Sequence, residues 1–483
     1  MTRVLRMVVA LFWPGHIGTT LVYMLQSTEY QPKTYLKWFW RTNNFAGVMY
    51  RRELDATRAA RFLQIFVKAG MAGQMLVGLA VFYGGIKSKE AGLPWFGVAL
   101  LLSAPLVWAH VLALVAWLGR LAITGSREKQ YAATAAHIFH KHEGIRIAIA
   151  GSYGKTSMKE LLQTVLGQGM AVAATPGNMN VMSSHARFAR LLDGSEDVVI
   201  VELGEGKPGD VARFTDIIQP HYGIITGLAP AHLDAYKTLA AAGEDIFSIG
   251  SFVQSDHIFV NADSVETKPF MPKGSRTYST KSALGWRVGH VTTGLEGTSF
   301  VMSKGKRQLS IHSGLIGSHQ AGPLALVAAF ALELGLTEKQ VVSGMAQTRP
   351  YQHRLEPYQL NGAWIIDDTY NGNLEGIAVG TALLKALPAN RKIYVTPGLV
   401  DQGKDTDEIH RQVGIHIAQA QPDLVVLMQN SVCAAIQLGL RDGGYRGQLS
   451  IEKDPLGFYQ GLADFVASGD VVLLQNDWPD NYA

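Results

Sequence analysis

Apolar and polar residues are distributed unevenly along the chain, and the pattern changes near Arg120. Ahead of it lie three long apolar stretches, Met7 to Gln26, Phe62 to Gly85 and Leu93 to Gly119. Each approaches the roughly 20 residues that a helix needs to cross a hydrocarbon layer. In the third, WFGVALLLSAPLVWAHVLALVAWLG, the only residue able to carry charge is His110. The first has Pro14, Gly15 and His16 in its middle, which predicts a kink or a re-entrant segment. The second has Lys68 near enough to its start to reach the headgroups. A cleaved signal fits poorly, since no small-residue cleavage pattern follows the first stretch and further apolar segments come after it. Beyond Arg120, short apolar runs (VVIVEL, YGIIT, HIFVNA, WIIDD, KIYVT, LVVLM, VVLL) alternate with amphipathic helical stretches. That alternation predicts an α/β protein with parallel sheets and helices on both faces.

Charge adds an orientation. Lys33, Lys37, Arg41, Arg51, Arg52, Arg58 and Arg61 lie between the first two apolar stretches, and Arg120, Arg127 and Lys129 follow the third. The positive-inside tendency puts both groups on the cytoplasmic side. Three spans then require an outside N-terminus and an outside loop at Lys87 to Ala91. Arg3 and Arg6 pull the other way, which keeps a re-entrant first segment open. The net charge is only +4, from 43 Lys+Arg against 39 Asp+Glu, and no basic face interleaved with aromatics marks a nucleic-acid surface. Cys433 is the single cysteine, which excludes an intrachain disulfide and a cysteine-built zinc or iron–sulfur site. The 483 residues are enough for two or three domains.

Candidate chemistry begins at IAIAGSYGKTSMKEL, Ile147 to Leu161. A strand predicted over 146–150 runs into Gly151–Ser157, and a helix is predicted over 157–166. This is the setting of a phosphate loop, because backbone N–H groups and a helix N-terminus converge on the anion. Ile149 stands where the strict Walker form has glycine, so the loop is the shorter Gly-x-x-Gly-Lys-Thr variant. In that role Lys155 meets the β- and γ-phosphates and the Thr156 hydroxyl ligates Mg²⁺. The plain alternative is a glycine-rich turn that merely makes a tight connection.

Downstream come ATPGNMNV (Ala174 to Val181), VVIVELGEGKPGDV (Val198 to Val211), GIITGLAPAHLDAY (Gly223 to Tyr236), HRLEPY (His353 to Tyr358) and DDTYNGNLEG (Asp367 to Gly376). Glu202 falls at a strand's C-terminal end, where ligand sites of open α/β sheets gather, and is a candidate Mg²⁺ ligand. His232 follows another strand end and reads either as a second metal ligand or as a capping or solvated histidine.

This set, in this order, resembles the Mur ligase family, which joins an amino acid or peptide to a cell-wall precursor at the expense of ATP. The resemblance runs from about Ile145 to the C-terminus, and DDTYNGNLEG is most similar to the Asp-Asp-Ser-Tyr-Asn-Ala-Asn-Pro segment of the members that add D-alanyl-D-alanine. With the membrane module of about three apolar helices read over 1–125 from the apolar stretches, it implies a central P-loop Mur ligase domain over 126–347 and a Rossmann-like C-terminal domain over 348–483. It implies ATP and Mg²⁺ as cofactors, with Gly151, Ser152, Gly154, Lys155, Thr156 and Ser157 around the triphosphate. Lys155, Glu202 and His232 form the catalytic set, and Thr156, Glu202 and His232 serve the metal. Asn178 and Asn180 line the phosphate and substrate side. Gln320, Arg354 and Asp368 belong to the nucleotide, and Tyr370, Asn371 and Asn373 to ligand contacts made from the C-terminal domain.

The chain also departs from that pattern. Membrane segments stand where the family has a soluble domain for the UDP-sugar. Some dozen residues after the histidine, where many members have a carbamoylated lysine, the sequence reads Ala-Gly-Glu-Asp, which leaves Glu244 or Asp245 as a substitute carboxylate; Lys237 is too near His232 to align. The adenine motif Gly-x-His-Asn-x-x-Asn becomes GSHQAGP, in which Gln320 imitates the first asparagine and Pro323 cannot imitate the second. The implied protein is an ADP-forming amide ligase of the inner membrane with its catalytic domains facing the cytoplasm. Its partners are a nucleotide- or lipid-linked peptide precursor, an amino acid or dipeptide, and the membrane, without nucleic acid. Competing readings are a polyglutamate-type ligase, a membrane-tethered P-loop ATPase and a non-catalytic scaffold.

Overall fold

In the computed structural model the described residues are 14–28, 30–42, 45, 57–120, 125–177, 180–229, 236–370, 372–399, 402 and 405–476. The chain divides into two compact units, one running to Arg127 and one beginning at Glu128.

The first unit is helical, with helices Pro14–Ser27, Pro32–Arg41, Arg58–Ser88 and Gly92–Gly119. Two of them, of 31 and 28 residues, are long and apolar enough to cross a membrane. The helix described over Pro14–Ser27 falls in the first apolar stretch, and residues 7–13 of that stretch, with the expectation of a kink or re-entrant segment that depends on them, lie outside the described residues.

Small residues let the two long helices approach backbone to backbone. A Cβ at Gly97 would meet the Phe82 amide nitrogen at 2.6 Å and the Gly78 carbonyl oxygen at 2.7 Å. Gln74 bridges the pair, donating to the Leu100 carbonyl at 2.9 Å and accepting from the Trp108 indole at 3.0 Å. Small contact residues and a satisfied polar bridge are how helices associate when apolar burial cannot drive them together.

The second unit contains two sheets. The first has ten strands: β1 Ile145–Ala150, β2 Val172–Ala174, β3 Val198–Glu202, β4 Tyr222–Ile225, β5 Ile258–Asn261, β6 Arg276–Ser279, β7 Ser282–Ala283, β8 Trp286–Gly294, β9 Gly297–Lys304 and β10 Arg307–Ser313. Their order is β10-β9-β8-β7-β6-β5-β4-β1-β3-β2. Strands β2 to β6 and β1 pair in parallel, whereas β6 through β10 pair antiparallel. The purely parallel sheet expected from the alternation is thus corrected to a mixed one. The physical reason is local: Leu295–Glu296 and Gly305–Lys306 are two-residue connections, too short for a crossover, and Gly305 at φ +61° supplies the positive φ that hairpin turns need.

Because side chains alternate across a strand, β1 feeds two cores. Ile147 and Ile149 join one with Leu162, Val165 and Phe330. Ala148 and Ala150 join the other with Phe139, Phe188 and Ile218. Full burial of each large aliphatic contributes about 1.5–3 kcal/mol, so the strand that delivers the phosphate turn is anchored from both faces.

The second sheet comprises β11 Glu356–Leu360, β12 Ala363–Asp368, β13 Arg391–Thr396, β14 Leu424–Met428, β15 Gln448–Glu452 and β16 Asp470–Gln475, in the order β11-β12-β16-β13-β14-β15. It is parallel except for the β11–β12 hairpin. Its core includes Ile366, Tyr394, Val413, Leu427 and Leu473.

Candidate active site

Strand order locates the site. From β1 the chain goes to β2 and β3 on one side and then to β4 on the other, so β1 lies at the switch point where open α/β sheets leave a crevice beyond their carboxyl ends. The turn after β1, the last residue of β3 and the loop after β4 converge there.

The turn needs its glycines. Gly151 has φ +135° and a Cβ there would lie 2.3 Å from Thr226 Oγ1; Gly154 has φ +74°. The Ser152 amide donates to the Gly227 carbonyl at 2.9 Å. Thr226 Oγ1 donates to the Ala150 carbonyl at 3.2 Å and to the Tyr153 carbonyl. The helix begins at Lys155, two residues before its expected start, so Lys155, Thr156 and Ser157 form its first turn, with amide groups that have no intrahelical acceptor.

Glu202 is 2% exposed and fully engaged. It accepts from Thr156 Oγ1 at 3.0 Å through Oε2 and from Asn180 Nδ2 at 3.2 Å through Oε1. Its amide donates to Thr175 Oγ1 at 3.2 Å, and its carbonyl lies 2.9 Å from His185 Nε2. The structure thus brings Thr156, Asn180 and Glu202 together. Asn178, His232 and Asn371 lie outside the described residues.

Lys155 Nζ donates to the Gly151 carbonyl at 2.5 Å and to Glu205 Oε1 at 2.6 Å. Glu205 was not among the residues singled out from the sequence, although its spacing of three from Glu202 beyond a strand end was a usable signal. Lys159, fully buried, donates to the Thr175 carbonyl at 2.8 Å and to the Gly177 carbonyl. It pins the segment that leads to Asn180.

The Thr156 hydroxyl and the Glu202 carboxylate, which meet at 3.0 Å, offer oxygens only, which suits a hard cation such as Mg²⁺. The substitute carboxylates fare differently. Asp245 accepts from the Gly209 amide at 3.0 Å and from the Tyr236 hydroxyl at 2.6 Å, and Glu244 is exposed. Among the described residues, His353, Glu356 and Asp367 form a group with ligand atoms within 4.8 Å of one another. These atoms serve the fold: His353 Nδ1 lies 2.7 Å from Asp367, Thr369 donates to Asp367 from its amide and hydroxyl, and the His353 amide donates to Glu356.

The second sheet contributes Arg354 and Asp368. The Arg354 guanidinium sits over the Tyr370 ring, 4.3 Å from its centroid, and its buried Nε has no hydrogen-bond partner among the described residues. Asp368 accepts from the Leu355 amide at 3.2 Å and from Gln475 Nε2 at 2.9 Å. Protein surrounds this carboxyl group although the residue keeps some exposed surface. Burial pushes it up to about 7, opposed by the hydrogen bonds from Gln475 and Leu355 and by the Arg354 charge. The folded state therefore holds the Asp368 proton more tightly than the unfolded chain, and stability falls as pH rises from about 3.8 to about 7. Denaturant titrations of the nucleotide-free protein should show this fall between pH 5 and 7, and Asp368→Asn should flatten it; an equally steep fall in Asp368→Asn would refute the assignment.

Asn373, implied as a ligand contact, caps the helix Leu374–Ala386, its Oδ1 accepting from the Gly376 amide at 2.8 Å. Gln320 ends the short turn Ser318–Gln320 ahead of the helix Ala321–Glu333. Pro323 falls in that helix's first turn, where a missing N–H costs nothing. Tyr153 lies near Ser264 and near Glu375 in the first turn of Leu374–Ala386, close enough for the Glu375 charge to act on its hydroxyl. Burial and the Glu375 charge raise its phenol above the ordinary range.

A phosphate turn at the switch point of a mixed α/β sheet, faced by a strand-end glutamate, is the arrangement of a nucleotide-binding domain, and residues 149–331 match the Mur ligase middle domain family. Among curated relatives the chain is 28% identical over 295 residues to the UDP-N-acetylmuramoyl-tripeptide--D-alanyl-D-alanine ligase of Treponema pallidum, covering 61% of this chain and 63% of that one. It is 26% identical over 282 residues to the ligase of the same name from Escherichia coli, covering 56% and 61%. The chain thus spans about three fifths of the length of these relatives. In fold it is similar to a crystal structure of MurF from Acinetobacter baumannii (TM-score 0.64, 19% identity, 72% of this chain and 77% of that one). A MurF ligase from Thermotoga maritima in complex with ADP gives a TM-score of 0.63 at 21% identity, covering 72% and 80%.

Proposed function

We propose that the protein is an ATP-dependent, ADP-forming amide ligase of peptidoglycan precursor synthesis, which adds D-alanyl-D-alanine to the carboxylate of a muramoyl tripeptide. The observation that carries this reading is the Lys155, Thr156 and Glu202 constellation at the switch point of a Mur ligase domain whose curated relatives bear that name. Forming an amide from a carboxylate at neutral pH needs a better leaving group than oxide. Transfer of the γ-phosphoryl group to the carboxylate supplies it as an acyl phosphate, which the dipeptide amine attacks with release of phosphate.

Two anions must meet in the first step, so charge has to be neutralised in place. Lys155 does so from the first turn of its helix, beside the free amides of that turn. Thr156 and Glu202 would hold Mg²⁺, which supplies further neutralisation at the β- and γ-phosphates. Arg354 and Asp368 would meet the nucleotide from the second sheet. Tyr153, near Glu375, would help keep water from the acyl phosphate.

We further propose that the two long helices span the inner membrane and hold the ligase at its cytoplasmic face. Support comes from the ring of exposed aromatics at each end of the helix pair, Tyr83, Trp95 and Phe96 near the turn and Phe62 and Trp117 at the open end. Along the axis Phe62 and Tyr83 are about 31 Å apart, close to the roughly 30 Å hydrocarbon thickness. With the ligase held at the membrane, a lipid-linked precursor is the acceptor that fits it.

Product mass spectrometry on the detergent-solubilised protein, with ATP, D-alanyl-D-alanine and either a UDP-linked or a lipid-linked tripeptide, tests both parts. Acceptor-dependent ADP release with an amide-linked product is expected. ATP turnover without any acceptor would favour a tethered ATPase instead, and strong preference for the UDP-linked acceptor would overturn the lipid version alone.

A further inference from the structure

Glu205 has a feature that the ligase reading does not use. Its side chain is 5% exposed, Oε1 binds Lys155 at 2.6 Å, and Oε2 is buried without a hydrogen-bond partner among the described residues. A buried carboxylate oxygen with no donor is costly, so its persistence beside a phosphate turn calls for a reason. The segment that carries it is fixed. The Leu203 amide donates to the Ile149 carbonyl at 2.9 Å and the Gly204 amide to the Asn180 carbonyl at 3.0 Å. A Cβ on Gly204 would lie 2.5 Å from that same carbonyl oxygen, so the backbone runs hard against the Asn180 strip. The backbone that carries Glu205 therefore has little room to retreat.

We infer that Glu205 makes nucleotide binding conditional on a divalent cation. Without nucleotide, its carboxylate neutralises Lys155 and closes the phosphate position. When a triphosphate takes Lys155 as its partner, Glu205 is left as an anion facing an anion at short range, with one oxygen that already lacks a donor. That arrangement is tolerable with a cation between them and repulsive without one. Glu205 is thus a positioning residue that rejects metal-free nucleotide, and this rests on the ATP-site reading above.

The test compares ATP binding by calorimetry to the full-length solubilised protein in EDTA and in Mg²⁺, for wild type and Glu205→Gln. Wild type should bind at least tenfold more tightly in Mg²⁺ than in EDTA. Glu205→Gln should gain at least tenfold in EDTA, which narrows the gap, a change that a merely structural role would not produce. Should Glu205→Gln unfold, Glu205→Ala, checked by thermal melting, is read the same way. Unchanged or weaker binding in EDTA by a folded variant would overturn the inference alone. Failure of wild type to bind ATP in either buffer would overturn the ATP site and the inference with it.

Discussion

Lys155→Ala should abolish ADP formation that depends on acceptor and amine, by at least about a thousandfold, in line with removal of a preorganised transition-state charge partner. On the proposed membrane reading the same variant should insert as wild type would, because Lys155 lies in the second compact unit and the two long helices lie in the first. A second effect follows from the 2.6 Å contact with Glu205. Removal of the ammonium leaves a buried carboxylate uncompensated, a kind of loss that costs about 3–5 kcal/mol where relaxation is poor. Thermal melting should therefore show a lowered midpoint for Lys155→Ala. The double variant Lys155→Ala with Glu205→Gln should recover much of that midpoint and none of the activity. Coupled activity above a tenth of wild type in a folded Lys155→Ala protein would sink the assignment of this turn.

Glu202→Gln separates charge from shape at the strand end. The amide oxygen can still accept from Thr156, and its NH2 can donate to Asn180 once the Asn180 side-chain amide turns over to present its oxygen, so the fold around β3 should survive. What is lost is a negative charge able to hold a divalent cation. Turnover should fall by at least about a hundredfold, and half-maximal rate should require a markedly higher Mg²⁺ concentration. Measuring rate against Mg²⁺ decides it: a drop in turnover with an unchanged Mg²⁺ requirement would mean that Glu202 acts by holding Thr156 and Asn180 and not by serving a metal.

Much of the architecture was legible in the order of residues because it depends on neighbours. The runs VVIVEL, WIIDD and LVVLM are strands buried on both faces, and continuous apolar stretches report such strands directly. The phosphate turn was legible for the same reason, since strand, glycines, lysine and helix follow within a dozen residues. The antiparallel half of the first sheet was harder to see. Its strands β8 to β10 alternate buried and exposed positions, and the direction of pairing is set by connection lengths that a scan for apolar runs passes over.

The chain order by itself determined where the candidate phosphate turn, Thr156 and Glu202 are delivered, because each is fixed by local geometry at a strand end. It also determined that the first unit must present long apolar helices. Tertiary structure alone decided which charges meet. Lys155 and Glu205 are fifty positions apart and come within 2.6 Å because β1 and β3 pair in register, Ile149 beside Glu202. Arg354, Asp368 and Tyr153 likewise acquire their partners from distant segments. Electrostatic energy depends on separation in space and on burial, and neither is written in the spacing of residues along a chain.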